Sequence, residues 1–355
     1  MPARKGRSHP PTLALTLGDP AGIGPEIVLR AAADPALTPL CRLMVVGNRE
    51  TLERAARVLE RAEGRKARDW LKALELREVR APGPRKQQSG AGPREIPWGS
   101  PSAASGRISY RCVEAAVRLV LAGEADALVT APISKKAWEM AGLSYPGHTE
   151  ALADLTGTKE YAMTFFAGRL RVALVTAHLP LREVARAIRR PAVLRTLRVV
   201  DRWLREGEGR RRPRIAVTGL NPHAGEGGRL GPEEGREIAP AIAAAREEGI
   251  LAEGPFPADG LFARGGRGWD AVVSMYHDQG LIAAKLLGRG RAVNVTLGLP
   301  FPRTSPDHGT AYDIAGRGGA DPGSLIEAIR LASRLAARRA DARKSAIGRR
   351  DKPRP

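Results

Sequence analysis

"AVVSMYHDQG", residues 271–280, is an apolar run that ends abruptly on His277, Asp278, Gln279 and Gly280. A run of this kind reads as a strand covered on both faces, and its polar tip marks where the chain leaves a sheet. Two other runs finish the same way: "RVALVTAH" (171–178) reaches His178, and "RIAVTGLNPH" (214–223) reaches His223. In a parallel sheet the C-terminal ends of strands emerge along one edge, where open α/β folds bind their ligands. One histidine in such a place reads as a hydrogen-bonded loop residue. Three suggest convergence.

Strand and helix signals alternate along the rest of the chain. Strand-like runs also occur at 12–17, 42–47, 126–132, 162–166 and 292–298. Helical patterns are predicted over Pro25–Ala33, Ile108–Ala122, Pro191–Arg205, Glu233–Glu248 and Pro322–Ala340. Three of these open on a proline, which suits a first helical position. The alternation predicts an α/β fold with largely parallel sheets. Residues 80–107, dense in Gly, Pro and Ser, read as a surface excursion or a domain connection. No internal repeat is present.

The chain has 355 residues, 43% of them hydrophobic, enough for two ordinary domains. Cys41 and Cys112 form no CxxC or CxxH pattern, which argues against a disulfide framework and a zinc finger. No apolar stretch approaches the roughly 18 residues that a membrane span needs. The basic N-terminus runs into a short strand and lacks a signal-type apolar region. A soluble, reducing compartment, most simply the cytoplasm, is expected. The formal charge is +20, of which +7 falls between Arg334 and Pro355, where nine Lys or Arg meet two Asp. Residues 341–355 read as a basic, disordered tail. Aromatic residues make up only 4% of the chain and show no base-stacking grouping, so specific nucleic-acid binding is not expected. Weak association with polyanions is still compatible with the charge.

Three imidazoles without a nearby cysteine fit a metal site with one position open to substrate or water. Zinc suits such ligands, and cobalt or manganese could replace it. Structural histidines remain the alternative. Asp259 and Asp278 could orient a ligand or move a proton, although acids at strand ends also cap helices. A second group suits a phosphate and a carboxylate: His148 and Thr149 in "YPGHTE", Lys285, Asn294 and Arg303. Each alone would read as a solvated surface residue. "LGDPAGIGPEIV" (17–28) is a Gly-rich turn entering a helix and could hold an anion. It is not a dinucleotide fingerprint, and the nearest GxGxxG-type match, Gly266–Ala271, enters a strand instead of following one. Any nicotinamide cofactor must be held by another device.

The stretches "GDPAGIGPE", "YPGHTE", "VTAHLPL", "GLNPHAGEGG", "MYHDQGL", "VNVTLGLPFPRTSPDHGTA" and "IAGRGGADPGS" resemble the PdxA family of pyridoxal phosphate biosynthesis, the 4-hydroxythreonine-4-phosphate dehydrogenases. They occur in family order from about residue 12 to residue 335. The resemblance implies oxidation of the C3 hydroxyl of 4-(phosphooxy)-L-threonine by NAD or NADP. The β-keto acid formed then decarboxylates to 3-amino-2-oxopropyl phosphate. It makes His178, His223 and His277 ligands of one divalent ion (zinc, magnesium or cobalt), with His277 reaching the neighbouring subunit of a homodimer. His148, Thr149, Lys285, Asn294 and Arg303 match its substrate-binding positions.

It also implies two α/β/α domains with a cleft between them, similar to isocitrate and isopropylmalate dehydrogenases. On that pattern residues 1–130 with 300–340 would carry the termini and the cofactor loop, and 131–299 the metal, substrate and dimer contacts. Those dehydrogenases hold the adenosine end of the cofactor with an H-G-[ST]-A loop, which His308, Gly309, Thr310 and Ala311 resemble. Family relatives act instead on D-threonate or D-erythronate 4-phosphate, or on a terephthalate-derived cis-dihydrodiol. One departure stands in "PADGLF" (257–262), where Gly260 replaces a common Thr beside Asp259.

Overall fold

In the computed structural model, residues 9–64, 66–80 and 96–350 are described. The strands are β1 (Thr12–Thr16), β2 (Arg42–Gly47), β3 (Glu75–Glu78), β4 (Ala127–Thr130), β5 (Ala162–Ala167), β6 (Leu170–Leu174), β7 (Arg214–Thr218), β8 (Leu251–Phe256), β9 (Ala271–Ser274), β10 (Val293–Leu297) and β11 (Arg303–Pro306). Contacts divide the chain into two units, Met1–Gly157 with Phe301–Ala336, and Thr158–Pro300 with Ala337–Pro355.

The first unit orders its strands β3-β2-β1-β4-β11, and each adjacent pair is parallel. Leu13, Leu15, Val45 and Leu128 are fully buried in it, as strands covered on both faces require. Helix Ala103–Leu121 starts five residues earlier than its apolar period alone predicts. Ser102 and Ser105 form a reciprocal capping box that satisfies the first turn. Helix Gly24–Ala32 carries Pro25 in its first turn, where the missing N–H costs nothing.

The second unit orders its strands β10-β5-β6-β9-β7-β8. β10, β5 and β6 are antiparallel neighbours, whereas β6, β9, β7 and β8 run parallel. Register is tight at the site edge: Leu174 of β6 sits opposite Ser274 of β9, and Val217 of β7 opposite Val273. Val172, Val272 and Ala216 form the dry centre of this sheet.

The α/β reading holds, and each predicted apolar run is a strand. The final helix, Gly323–Arg350, goes further than expected and takes in the first ten residues of the segment read as a disordered tail. Ala, Arg and Lys are good helix formers, so high charge there did not stop the helix. Residues 351–355, and 81–95 of the irregular stretch, lie outside the described residues. Among the described residues no helix is long and apolar enough to cross a membrane.

Candidate active site

β6, β9 and β7 release the chain at one edge of the second unit, and each then delivers a histidine. His178 lies four residues beyond Leu174, His277 opens helix His277–Gly288, and His223 lies in the turn Pro222–Gly228. The rings of His178 and His277 are 6.0 Å apart between centroids. His277 Nδ1 is paired with Asp278 Oδ1 at 2.7 Å, which orients the ring and leaves Nε2 as the nitrogen that could meet a ligand. Three imidazoles are a suitable donor set for a divalent ion. Within one chain, however, no group of three or more His, Cys, Asp or Glu that could hold a metal forms among the described residues. The pair His178–His277 is brought together, while His223 is displayed separately.

Gln279, which the sequence reading passed over, ties this edge together. Its Oε1 accepts from Met275 N (2.7 Å) and Thr218 Oγ1 (2.8 Å), and its Nε2 donates to the Gly219 carbonyl (2.7 Å). One amide thus joins the ends of β9 and β7. Its signal was its place in the quoted "YHDQG". Gly280 is required because a Cβ there would lie 2.6 Å from Val172 Cγ1 of β6. Asp259 is exposed in the first turn of helix Ala258–Ala263. Lys285 is exposed on the helix opened by His277, and Asn294 lies in β10 with its Oδ1 buried and lacking a hydrogen-bond partner.

The first unit gathers His148, Thr149 and Arg303. Parallel pairing of β11 with β4 sets Arg303 opposite Leu128. Arg303 is 1% exposed, and its Nη2 donates to Thr130 Oγ1 at 2.6 Å. Burial pushes the guanidinium down to about 9, with the Glu150 carboxylate pulling the other way, so it remains a cation at neutral pH. Helix His148–Leu155 starts on a Gly147 cap that supplies no side-chain acceptor. The His148 ring stands edge-on to Trp138 at 5.7 Å, and Trp138 Nε1 donates to Ser109 Oγ at 2.7 Å. Burial, then the charge of Arg303, holds His148 well below its usual range, so the ring is neutral at pH 7. Its Nε2 is buried without a hydrogen-bond partner. A buried polar atom of that kind is costly unless a ligand or water meets it. A buried cation, a neutral imidazole and a hydroxyl form a donor group for a substrate oxyanion.

The segment 307–322 is also in the first unit. His308 Nδ1 donates to the Gly309 carbonyl at 3.1 Å, and Ala311 takes a left-handed φ of 43°. The Gly-rich turn 18–24 packs against this segment, and part of its backbone is used internally. Asp19 N donates to the Pro132 carbonyl, Gly22 N to the Asp19 carbonyl and Ile23 N to the Thr310 carbonyl. Ala21 N donates to Asp19 Oδ1. Four amides of the turn are thereby engaged. Tyr312 OH donates to the buried Asp19 at 2.8 Å, and Glu26 accepts from Gly316 N (2.7 Å) and Gly318 N (2.9 Å). Burial raises the carboxyl pKa of both acids.

Comparison with known proteins gives a family. Residues 39–332 match the model of the family described as pyridoxal phosphate biosynthetic protein PdxA. The chain is 48% identical over 327 residues to a 4-hydroxythreonine-4-phosphate dehydrogenase of Geobacter metallireducens, covering 92% of this chain and 96% of that one. It is 44% identical over 340 residues to a D-threonate 4-phosphate dehydrogenase of Cupriavidus necator, covering 93% and 98%. A crystal structure of 4-hydroxythreonine-4-phosphate dehydrogenase from Klebsiella pneumoniae is similar with a TM-score of 0.78 and 40% identity, covering 92% of this chain and 99% of that one.

Proposed function

The chain belongs to the PdxA family, and from that premise we propose that it oxidises the C3 hydroxyl of 4-(phosphooxy)-L-threonine with NAD or NADP. The β-keto acid formed loses CO₂ to give 3-amino-2-oxopropyl phosphate. The observation that carries this reading is the delivery of His178, His277 and His223 by three parallel strands to one sheet edge. A divalent ion (zinc, magnesium or cobalt), when bound by these three, would supply Lewis-acid polarisation of the hydroxyl. Asp278 orients His277, and Asp259 and Asp278 are the acids proposed to move protons. A nicotinamide, when bound, would take the hydride, and His308, Gly309, Thr310 and Ala311 are proposed to hold its adenosine end.

Arg303, His148 and Thr149 are proposed to bind substrate oxyanions; the neutral ring adds a hydrogen bond without a second charge. Lys285 and Asn294 are proposed as further substrate contacts. A homodimer with shared sites is supported by where the apolar surface lies. Leu181, three residues after His178, is 73% exposed, and Ile282 and Leu286, on the helix opened by His277, are 60% and 72% exposed. Large apolar side chains around two ligand positions are what a partner would cover. The family pattern has His277 crossing to the partner, whereas in one chain His277 sits beside its own His178. A cytoplasmic location is proposed.

The second reading, D-threonate 4-phosphate as substrate, is favoured by relatives of that name at 44% identity. A comparison of kcat/KM for 4-(phosphooxy)-L-threonine, D-threonate 4-phosphate and D-erythronate 4-phosphate decides between them. Preference for the amino acid supports the first reading, and preference for either sugar acid replaces it while leaving the reaction type in place.

A further inference from the structure

We infer that Glu234 positions His223 for the divalent ion by fixing a left-handed turn with its buried carboxylate. The inference rests on the metal reading above. His223, Ala224, Gly225, Glu226 and Gly227 have φ values of 51°, 53°, 79°, 44° and 68°. That region is sterically disfavoured for every residue but glycine, and three of these five are not glycine. Such a turn persists only where its surroundings impose it.

The imposing group is Glu234, only 6% exposed. Its Oε1 accepts from Leu220 N (2.8 Å) and Asn221 N (2.7 Å), and its Oε2 accepts from Asn221 Nδ2 (3.0 Å). The Asn221 amide also donates to Glu233 Oε2 at 2.8 Å. The entry to the turn is thereby locked two residues before His223. Three glycines of "GLNPHAGEGGRLGPEE" (219–234) sit tight against this lock. A Cβ on Gly225 would lie 2.5 Å from Glu234 Oε2, and one on Gly219 would lie 2.7 Å from Ala224 Cα. One on Gly231 would lie 2.5 Å from Asn221 Nδ2. Gly219, Leu220, Asn221 and Gly225 close around one acid, yet His223 itself is exposed. Strain that buries nothing at His223 serves to display the ring.

The test measures Co²⁺ affinity by chelator competition, and the visible absorption of the Co²⁺ complex, in full-length parent, Glu234→Gln, His223→Ala and the double variant. Glu234→Gln should weaken Co²⁺ binding about 10- to 100-fold, the usual cost of losing an outer partner of a ligand. Its spectrum should move toward that of His223→Ala, and the double variant should bind no more weakly than His223→Ala alone. Parent-like affinity in Glu234→Gln, or an equal further loss on the His223→Ala background, overturns the inference. Parent-like affinity in His223→Ala overturns the metal reading instead. If Glu234→Gln lacks a cooperative melt, Glu234→Asp, which withdraws the carboxylate by one methylene, is decided by the same results.

Discussion

Segment 307–322 of the first unit and the histidine edge of the second are both loops at the tips of parallel strands, yet they are finished differently. The first is closed by its own unit. Glu26 caps two of its amides, Arg30 Nη2 donates to its Gly318 carbonyl at 2.6 Å, and Asp19 holds Tyr312. The second is left open: two histidines approach, the third is shown to solvent, and Leu181, Ile282 and Leu286 flank them uncovered. A closed loop can be rigid before any ligand arrives. The open edge is the one proposed to be completed by an ion and a partner.

The largest effect expected of that difference is all or none. Purified His178→Ala and His277→Ala chains, each inactive, are mixed and allowed to exchange. If His277 crosses to the partner, each heterodimer holds one intact set and activity returns. If His178 and His277 serve one site from one chain, this mixture stays dead and a His178→Ala with His223→Ala mixture recovers. Recovery in neither mixture, with heterodimers confirmed by native mass spectrometry, would sink the shared site.

Arg303→Ala comes next. Removing one partner of a desolvated charged contact costs about 2–5 kcal/mol, so kcat/KM should fall roughly 30- to 4,000-fold at ~1.4 kcal/mol per tenfold. Bound metal should be unchanged, because the arginine is not among the proposed metal ligands. Parent activity in this variant would remove the oxyanion-binding role.

Asp19 gives the smallest effect and probes the closed loop. Burial raises its pKa in the folded protein above the ordinary carboxylate value. Its contribution to stability is therefore full below that value and is lost as pH rises through the raised one. Asp19→Asn does not titrate. Urea midpoints should show the parent's advantage over the variant shrinking as pH rises above about 4. An advantage that grows with pH would contradict the assigned burial.

What the sequence made legible follows from which signals are local. β1, β2, β4, β5, β6, β7, β9 and β10 are apolar runs and could be read directly. β3 (ELRE) and β11 (RTSP) carry almost no apolar residue, and β8 (LAEGPF) is an edge strand interrupted by Gly-Pro, where a missing N–H is tolerated. The histidines were visible because each terminates an apolar run. Glu26, Asp19 and Tyr312 were not: Glu26 meets Gly316 across 290 residues of chain. The pairing of the basic charge was hidden in a similar way. Arg171 is bidentate to the buried Glu208, Arg198 pairs with Glu248, and Arg205 with Asp201, pairings no linear charge count reveals.

The most direct test of the account is NAD(P)H formation with 4-(phosphooxy)-L-threonine, followed at its absorbance band before chelation, after chelation and after return of a divalent ion. The account predicts turnover that disappears on chelation and returns with the ion. An unchanged rate in fully metal-stripped protein would contradict it.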